Sequence, residues 1–395
     1  MVTTEFDNIR PYTDSEINDA MRRITDNPLF VNIANFLFAN ISIDMVKAKF
    51  RALNSVYDFQ IEIMDYVIQT IVKLTSTGLS FSGFDILDTK QRYLFVANHR
   101  DIMLDSAILQ IVLHANQHET SEITFGDNLM SSDFVIDIGK SNKMFRLVRG
   151  GTPREILVNS ILTSKYIRYA INQKKQSVWI AQRNGRTKDG DDKTQQAVLK
   201  MFKISGCKEF AENFAELNIA PIVISYEYDP CDVQKTRELY ISKRQTYVKA
   251  LGEDLNSVLT GIKQSKGGIH LAASKPLSLA ELQEIAKSPS TEQFQNLADI
   301  IDSRIHENYY LWKTNLIAHD VLHGNRFGHE YSSQEKENFM AYLDDKLSNI
   351  EGDKQELTEI FLGIYANPVV NFLKSGTPGK LPQDSMNIKQ FQIKV

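Results

Sequence analysis

Cysteine is scarce in this chain: Cys207 and Cys231 are the whole supply in 395 residues. Two thiols cannot build a disulfide framework, and neither has zinc-ligand partners at short spacing. Stability must therefore come from an ordinary core. Long apolar runs are missing too. No segment reaches the roughly 18 uninterrupted apolar residues of a spanning helix. The nearest candidate, Leu29 to Val46, is broken by Asn32, Asn35, Asn40 and Asp44. It reads as one or two helices, either buried or lying on a membrane surface. A basic excess is lacking as well, since net charge is −4, so no nucleic-acid partner is expected. The opening MVTTEFDNIRPYTDSE has no basic start followed by an apolar run, so no secretory leader is expected.

What is present is an ordinary apolar share of 42%, enough for a sizeable core. Residues 15–78 carry helical periodicity, with Tyr57, Ile61, Met64, Ile68 and Ile71 forming one apolar stripe. Gly78 is a plausible stop. From residue 79 the pattern changes to short apolar runs alternating with helical stretches. The strand candidates are Leu79–Phe84, Tyr93–Ala97, Ile123–Phe125, Val178–Ala181, Ile219–Tyr226 and Ile269–Ala272. Helices are expected between them at Asp101–His114, Arg154–Asn172 and Gln195–Leu217. From about residue 278 onward the chain reads as helix without clear strands. The expected fold is α/β, with a central mixed sheet flanked by helices and with helical N- and C-terminal segments. The expected boundaries are 1–78, 79–280 and 281–395.

Four segments carry candidate chemistry. In Tyr93–Ser106 (YLFVANHRDIMLDS) an apolar strand runs into His99, with Asp101 and Asp105 close behind. Strand ends of α/β sheets host active sites. A histidine there can act as a base when a carboxylate fixes its tautomer. Asp101 is also well placed to cap the following helix. The triplet His99-Arg100-Asp101 spells the kinase HRD, but position 106 is Ser106, not the metal-binding Asn. No glycine-rich loop, strand lysine or DFG accompanies it, so the kinase reading is rejected.

The second segment, Gly139–Glu155, places Arg146 and Arg149 around a short apolar run before a Gly-Gly turn. If that run is extended, the two guanidinium groups need not share a face. The third, Val178–Asp192, sets Arg183, Asn184, Gly185, Arg186 and Lys188 directly after a strand. Several cations around a glycine make an anion pocket, because the backbone can approach closely and guanidinium groups grip phosphate oxygens in pairs. Alternatively it is a charged turn neutralised by Asp189, Asp191 and Asp192. The fourth, Ile219–Pro230, is a strand ending in Tyr226 and Glu227. The other seven histidines form no persuasive metal set and are assigned structural or surface roles.

Taken in order, these segments resemble the glycerolipid acyltransferase superfamily, which includes glycerol-3-phosphate and lysophosphatidate acyltransferases. NHRDIMLD resembles that family's His/Asp block, MFRLVR its phenylalanine-to-arginine block, QRNGRTK its Glu-Gly-x-Arg loop and IAPIVISYE its proline-opened strand. Gly267–Ser278 and Trp312–Leu322 look more like the glycerol-3-phosphate branch. Two departures stand out. Five residues separate His99 from Asp105 where the family has four, and Leu104 occupies the family's Asp position. Asn184 stands where the family has Glu.

The resemblance implies a mechanism without metal or redox cofactor. His99, oriented by Asp105 or Asp101, deprotonates an acceptor hydroxyl, which attacks an acyl-CoA or acyl-carrier-protein thioester. It implies Arg100, Arg146, Arg149, Asn184, Gly185, Arg186 and Lys188 as substrate-binding residues for a phosphorylated glycerol or lysolipid acceptor. It also implies a cytoplasmic protein in peripheral contact with the inner membrane face. Two other expectations stay open: O-acylation of a non-phosphate lipid such as an acylated amino acid, and a non-catalytic lipid-binding protein on a degenerate fold.

Overall fold

The computed structural model describes residues 5–39, 41–130, 132–148, 150–375 and 380–395. Among these, eight strands form one sheet: β1 (Ser76–Ser82), β2 (Leu94–Ala97), β3 (Glu122–Gly126), β4 (Met144–Leu147), β5 (Val178–Ala181), β6 (Ile219–Tyr226), β7 (Gly267–Ala273) and β8 (Lys389–Gln390). Their order across the sheet is β4-β3-β5-β2-β6-β7-β1-β8. Strands β2 to β6 run parallel to one another. β7 pairs antiparallel with β6, β1 runs parallel to β7, and β8 returns antiparallel to β1. The expected mixed sheet flanked by helices is what forms. All five parallel strands deliver their carboxyl ends to one edge.

β2 sits near the middle of the sheet and is buried on both faces. Phe95 and Ala97 join a core shared with the N-terminal helices and the helix Leu104–Ala115. Leu94 and Val96 point the other way, into a core shared with Pro153–Asn172, Gln196–Lys203 and Gln293–Glu307. That two-sided burial explains why β2, β5 and β6 read as near-continuous apolar runs. A third, smaller core around Ile317, Phe339, Phe361 and Tyr365 holds the C-terminal helices together.

Several elements differ from the sequence expectation. β4 forms at the sheet edge over Met144–Leu147, with Arg146 inside the strand, and β8 lies inside the C-terminal region expected to be all helix. Gln195–Leu217 is two helices, Gln196–Lys203 and Phe210–Ala215, broken around Gly206. The stripe that opens at Tyr57 is also displaced. Residues Phe59–Met64 form a π-helical stretch between Val56–Asp58 and Asp65–Thr75. Its i→i+5 bonding widens the turn and rotates the face. Phe59 and Ile63 are therefore buried, and Tyr57 stands 56% exposed.

The Leu29–Val46 stretch becomes two helices, Pro28–Leu37 and Ile43–Ala52. The first begins on an Asn27 side-chain cap followed by Pro28, a helix-starting pair. Phe30, Ala34, Val46 and Phe50 face the core, while Leu29, Ile33, Phe36 and Met45 remain exposed. No helix among the described residues is long and apolar enough to cross a membrane.

Candidate active site

His99 lies two residues beyond Ala97, the last residue of β2, at the edge where the parallel strands end. The helix behind it does not begin at Asp101 but at Leu104. Residues Asp101–Met103 form a turn instead, and Asp101 Oδ1 holds it by accepting from Met103 N (2.9 Å) and Leu104 N (2.8 Å). The extra residue between His99 and Asp105 is absorbed in that turn. Asp105 thereby lands in the first helical turn with its carboxylate aimed back at the imidazole.

The result is a buried His–Asp pair. His99 Nδ1 lies 2.9 Å from Asp105 Oδ2. The same oxygen accepts from Arg100 N (2.6 Å) and Asp101 N (2.9 Å). The other oxygen, Oδ1, accepts from the Tyr226 hydroxyl at 2.8 Å. Four donors thus converge on one carboxylate. Its role as acceptor places the imidazole proton on Nδ1 and leaves the Nε2 lone pair free to take a proton. Among the described residues no hydrogen-bond partner meets Nε2. The ring packs edge-on to Trp179 of β5, with centroids 5.6 Å apart.

Of the two candidate orienters, the geometry selects Asp105. Asp101 forms no hydrogen bond with the imidazole; its Oδ1 is taken by Met103 N and Leu104 N. Its Oδ2 is buried without a partner among the described residues and lies against Gly261, where a Cβ would come within 2.0 Å. Burial, and then the charge of Asp105, push its carboxyl above the usual range.

The loop after β5 is tied to the same turn. Thr187 N donates to the His99 carbonyl at 2.7 Å. Arg186, next in the chain, is half-buried; its charge reaches Asp101, Cys231 and Asp254, and its Nη1 has no hydrogen-bond partner among the described residues. Gly185 adopts a left-handed φ of 75°, and nothing lies within 4 Å of its missing Cβ, so the loop is open to close approach. Asn184 is exposed, and its backbone N–H donates to Gln195 Oε1 at 2.9 Å.

Other expected substrate contacts are placed elsewhere. Arg100 is only 1% exposed, and its guanidinium donates to Asp192, Asp229 and the Gly190 carbonyl, which excludes it from contact with a substrate. Lys188 is engaged by Glu238 of the helix Asp232–Ser242. Arg146 lies on β4, facing Asp127 at 3.9 Å. β4 is three strand spacings from β2, about 14 Å, so Arg146 can serve only a distant part of a large substrate. Arg149 lies outside the described residues.

The sequence reading overlooked Tyr226 as a partner of Asp105, Trp179 as a wall for the imidazole, and the pairing of Asp192 with Arg100. Tyr226 carried a signal, a polar residue ending an otherwise apolar buried strand. Trp179 and Asp192 carried none that separates them from core and turn residues.

No protein-family model and no curated protein matches the chain. Among solved structures, the chain is similar to the 1-acyl-sn-glycerophosphate (LPA) acyltransferase PlsC from Thermotoga maritima, with 10% identity and a TM-score of 0.36 over 73% of this chain and 91% of that one. Likeness at that level is too distant to carry a function across, so the chemical reading stands on the residues themselves.

Proposed function

We propose that the protein is an O-acyltransferase. In this reading it moves a fatty acyl group from acyl-CoA or acyl-carrier protein to a hydroxyl of glycerol-3-phosphate or lysophosphatidate. The observation that supports it most is the buried His99–Asp105 pair, with Nε2 unengaged, at the carboxyl end of β2 beside the Arg186 loop.

His99 Nε2 takes the proton of the acceptor hydroxyl as its oxygen attacks the thioester carbonyl. Asp105 balances the imidazolium that forms. The tetrahedral intermediate collapses by breaking the carbon–sulfur bond, and the imidazolium returns its proton to the thiolate. The products are an ester and a free thiol, and His99 ends as it began. Arg186 grips the acceptor's phosphate.

One observation favours a non-phosphate acceptor as the second reading: Arg100 and Lys188, two of the cations assigned to the acceptor, are already paired with carboxylates. Peripheral contact with the cytoplasmic face of a membrane is part of the proposal. The exposed Leu29, Ile33, Phe36 and Met45 support it.

The test is thiol release from acyl-CoA and acyl-carrier protein against a panel of hydroxyl acceptors. His99→Ala should lower turnover by about 10²- to 10⁴-fold. A wild type that releases no thiol with any acceptor, yet binds lipid as well as His99→Ala does, would establish a non-catalytic binder instead.

A further inference from the structure

Directly behind the His99 turn lies a buried cluster of four charges. Arg100 Nη2 donates to Asp192 Oδ2 at 2.7 Å and to the Gly190 carbonyl at 3.2 Å, while Nη1 donates to Asp229 Oδ2 at 3.1 Å. Lys235 Nζ holds the other Asp229 oxygen and donates to the Arg100 carbonyl at 2.9 Å. Exposure of Arg100 and Lys235 is 1% each, of Asp192 1% and of Asp229 4%. The charges balance, two against two. Burial, the largest single influence, would raise Asp192, but the Arg100 charge together with hydrogen bonds from Thr187, Arg100 and Asn98 holds that carboxyl below its ordinary range.

A buried ion cluster is weak evidence of stabilisation, because desolvation offsets most of the attraction. Its effect here is geometric. Asn98 donates to Asp192 Oδ2 (3.1 Å) and the Ile224 carbonyl (3.0 Å), and accepts from Ile224 N (2.9 Å). Together with the bonds to Asp105, Thr187 and Lys235, this pins residues 98, 99 and 100 from every side.

The cluster also reaches the C-terminal helices, to which the sequence assigns no role. The Tyr309 ring lies 5.4 Å from the Arg100 guanidinium. The Tyr365 hydroxyl, on the helix Lys354–Ser375, accepts from Asp229 N at 3.1 Å and donates to Asp232 at 2.7 Å. Gly190 presses so closely on the same helix that a Cβ would meet the Ile364 carbonyl oxygen at 2.2 Å. Two of the three acceptors of the Arg100 guanidinium, Asp229 and the Gly190 carbonyl, are thus backed by the helix Lys354–Ser375.

We propose that Arg100 is a positioning residue, and that through the Asp192–Arg100–Asp229–Lys235 cluster the C-terminal helices hold His99 in register with its substrate. The role in turnover rests on the acyl-transfer reading; the positioning itself does not. The decisive variant is Arg100→Met with Asp192→Asn in the full chain. It removes one charge of each sign and leaves Lys235 paired with Asp229. With palmitoyl-CoA and lysophosphatidate, kcat should fall about 100-fold while both KM values stay within about threefold. A residue that only stabilised the fold would lower the melting temperature without that split.

Amide hydrogen exchange of the peptide spanning the His99 turn gives a second readout that needs no turnover. Exchange there should accelerate by about 100-fold in the double variant while the peptide of β3, which touches no member of the cluster, is unchanged. If the double variant does not fold, Tyr365→Phe takes its place, with kcat falling about tenfold and exchange at the turn rising. A folded variant in which the turn remains protected as in wild type overturns the proposal. If wild type shows no acyl transfer at all, the functional reading fails, and the exchange result still decides the positioning role.

Discussion

Tyr226, at the end of β6, donates its hydroxyl to the one Asp105 oxygen that His99 leaves free, at 2.8 Å. Both side chains are buried, and burial together with the Asp105 charge raises the phenol well above its usual range, so it stays a donor. Tyr226→Phe removes one of the four donors. The Asp105 carboxylate is then held less firmly against His99 Nδ1, so kcat should fall by about tenfold. The lost bond, to a charged acceptor, should also cost about 1.5–3 kcal/mol of stability. Steady-state kinetics and denaturant titrations of the two proteins check both effects, and an unchanged kcat would remove Tyr226 from the proposed machinery.

Asp105 and Asp101 should separate cleanly on substitution. Asp105→Asn brings an amide where His99 needs an acceptor, and disturbing the tautomer in this way costs on the order of 10³- to 10⁴-fold in kcat. Asp101→Asn retains an oxygen for Met103 N and Leu104 N, so kcat should change less than about tenfold. Its stability effect has a definite sign. The folded carboxyl titrates above its unfolded value, so ionisation at rising pH works against the folded state. Asp101→Asn should raise the melting temperature at pH 8 more than at pH 4. Equal shifts at the two values, or a collapse of kcat, would contradict this account.

The parts of this fold legible in sequence are those whose burial is two-sided. β2, β5 and β6 announce themselves as short apolar runs because both faces meet a core. The edge strand β4 mixes Met144, Phe145 and Arg146, and β8 is two exposed residues, so neither has a period to detect. At the site, His99 and both aspartates were visible as a cluster, but the choice between them depended on where the helix begins. That start is set by the Asp101 turn, which spacing does not reveal. Arg100 looked like a free cation because its partners Asp192 and Asp229 lie 92 and 129 residues away in sequence. Long-range pairing of this kind leaves no local trace.

Arg186 and Lys188 differ in what already occupies them. Lys188 is ion-paired with Glu238, whereas Arg186 meets only the Cys231 thiol and its buried Nη1 has no partner among the described residues. For a phosphorylated acceptor, Arg186→Ala should raise the acceptor KM by about 10- to 100-fold, the worth of one charge-assisted contact. Lys188→Ala should leave it within about threefold. Steady-state kinetics with glycerol-3-phosphate, lysophosphatidate and an N-acyl amino acid make the comparison. A substitution at Arg186 that spares turnover would shift the acceptor assignment to a non-phosphate lipid.

His270 on β7 offers a test of the core that is independent of turnover. Its Nδ1 lies 2.8 Å from Ser80 Oγ and its Nε2 lies 3.0 Å from Ser82 Oγ, both on the neighbouring strand β1. Burial pushes its pKa down to about 3, so the folded imidazole stays neutral through mild acid. In the unfolded chain the ring takes up a proton as pH drops below about 6.5. The unfolded state then binds more protons, so stability is full above that value and declines as pH falls toward 3. At about 1.4 kcal/mol per pH unit, this group alone should remove roughly 2 kcal/mol between pH 6.5 and 5. His270→Gln has no such group. Urea titrations at pH 7 and pH 5 should show wild type losing about 2 kcal/mol more than the variant; parallel losses would mean that the buried ring is not the source of the acid sensitivity.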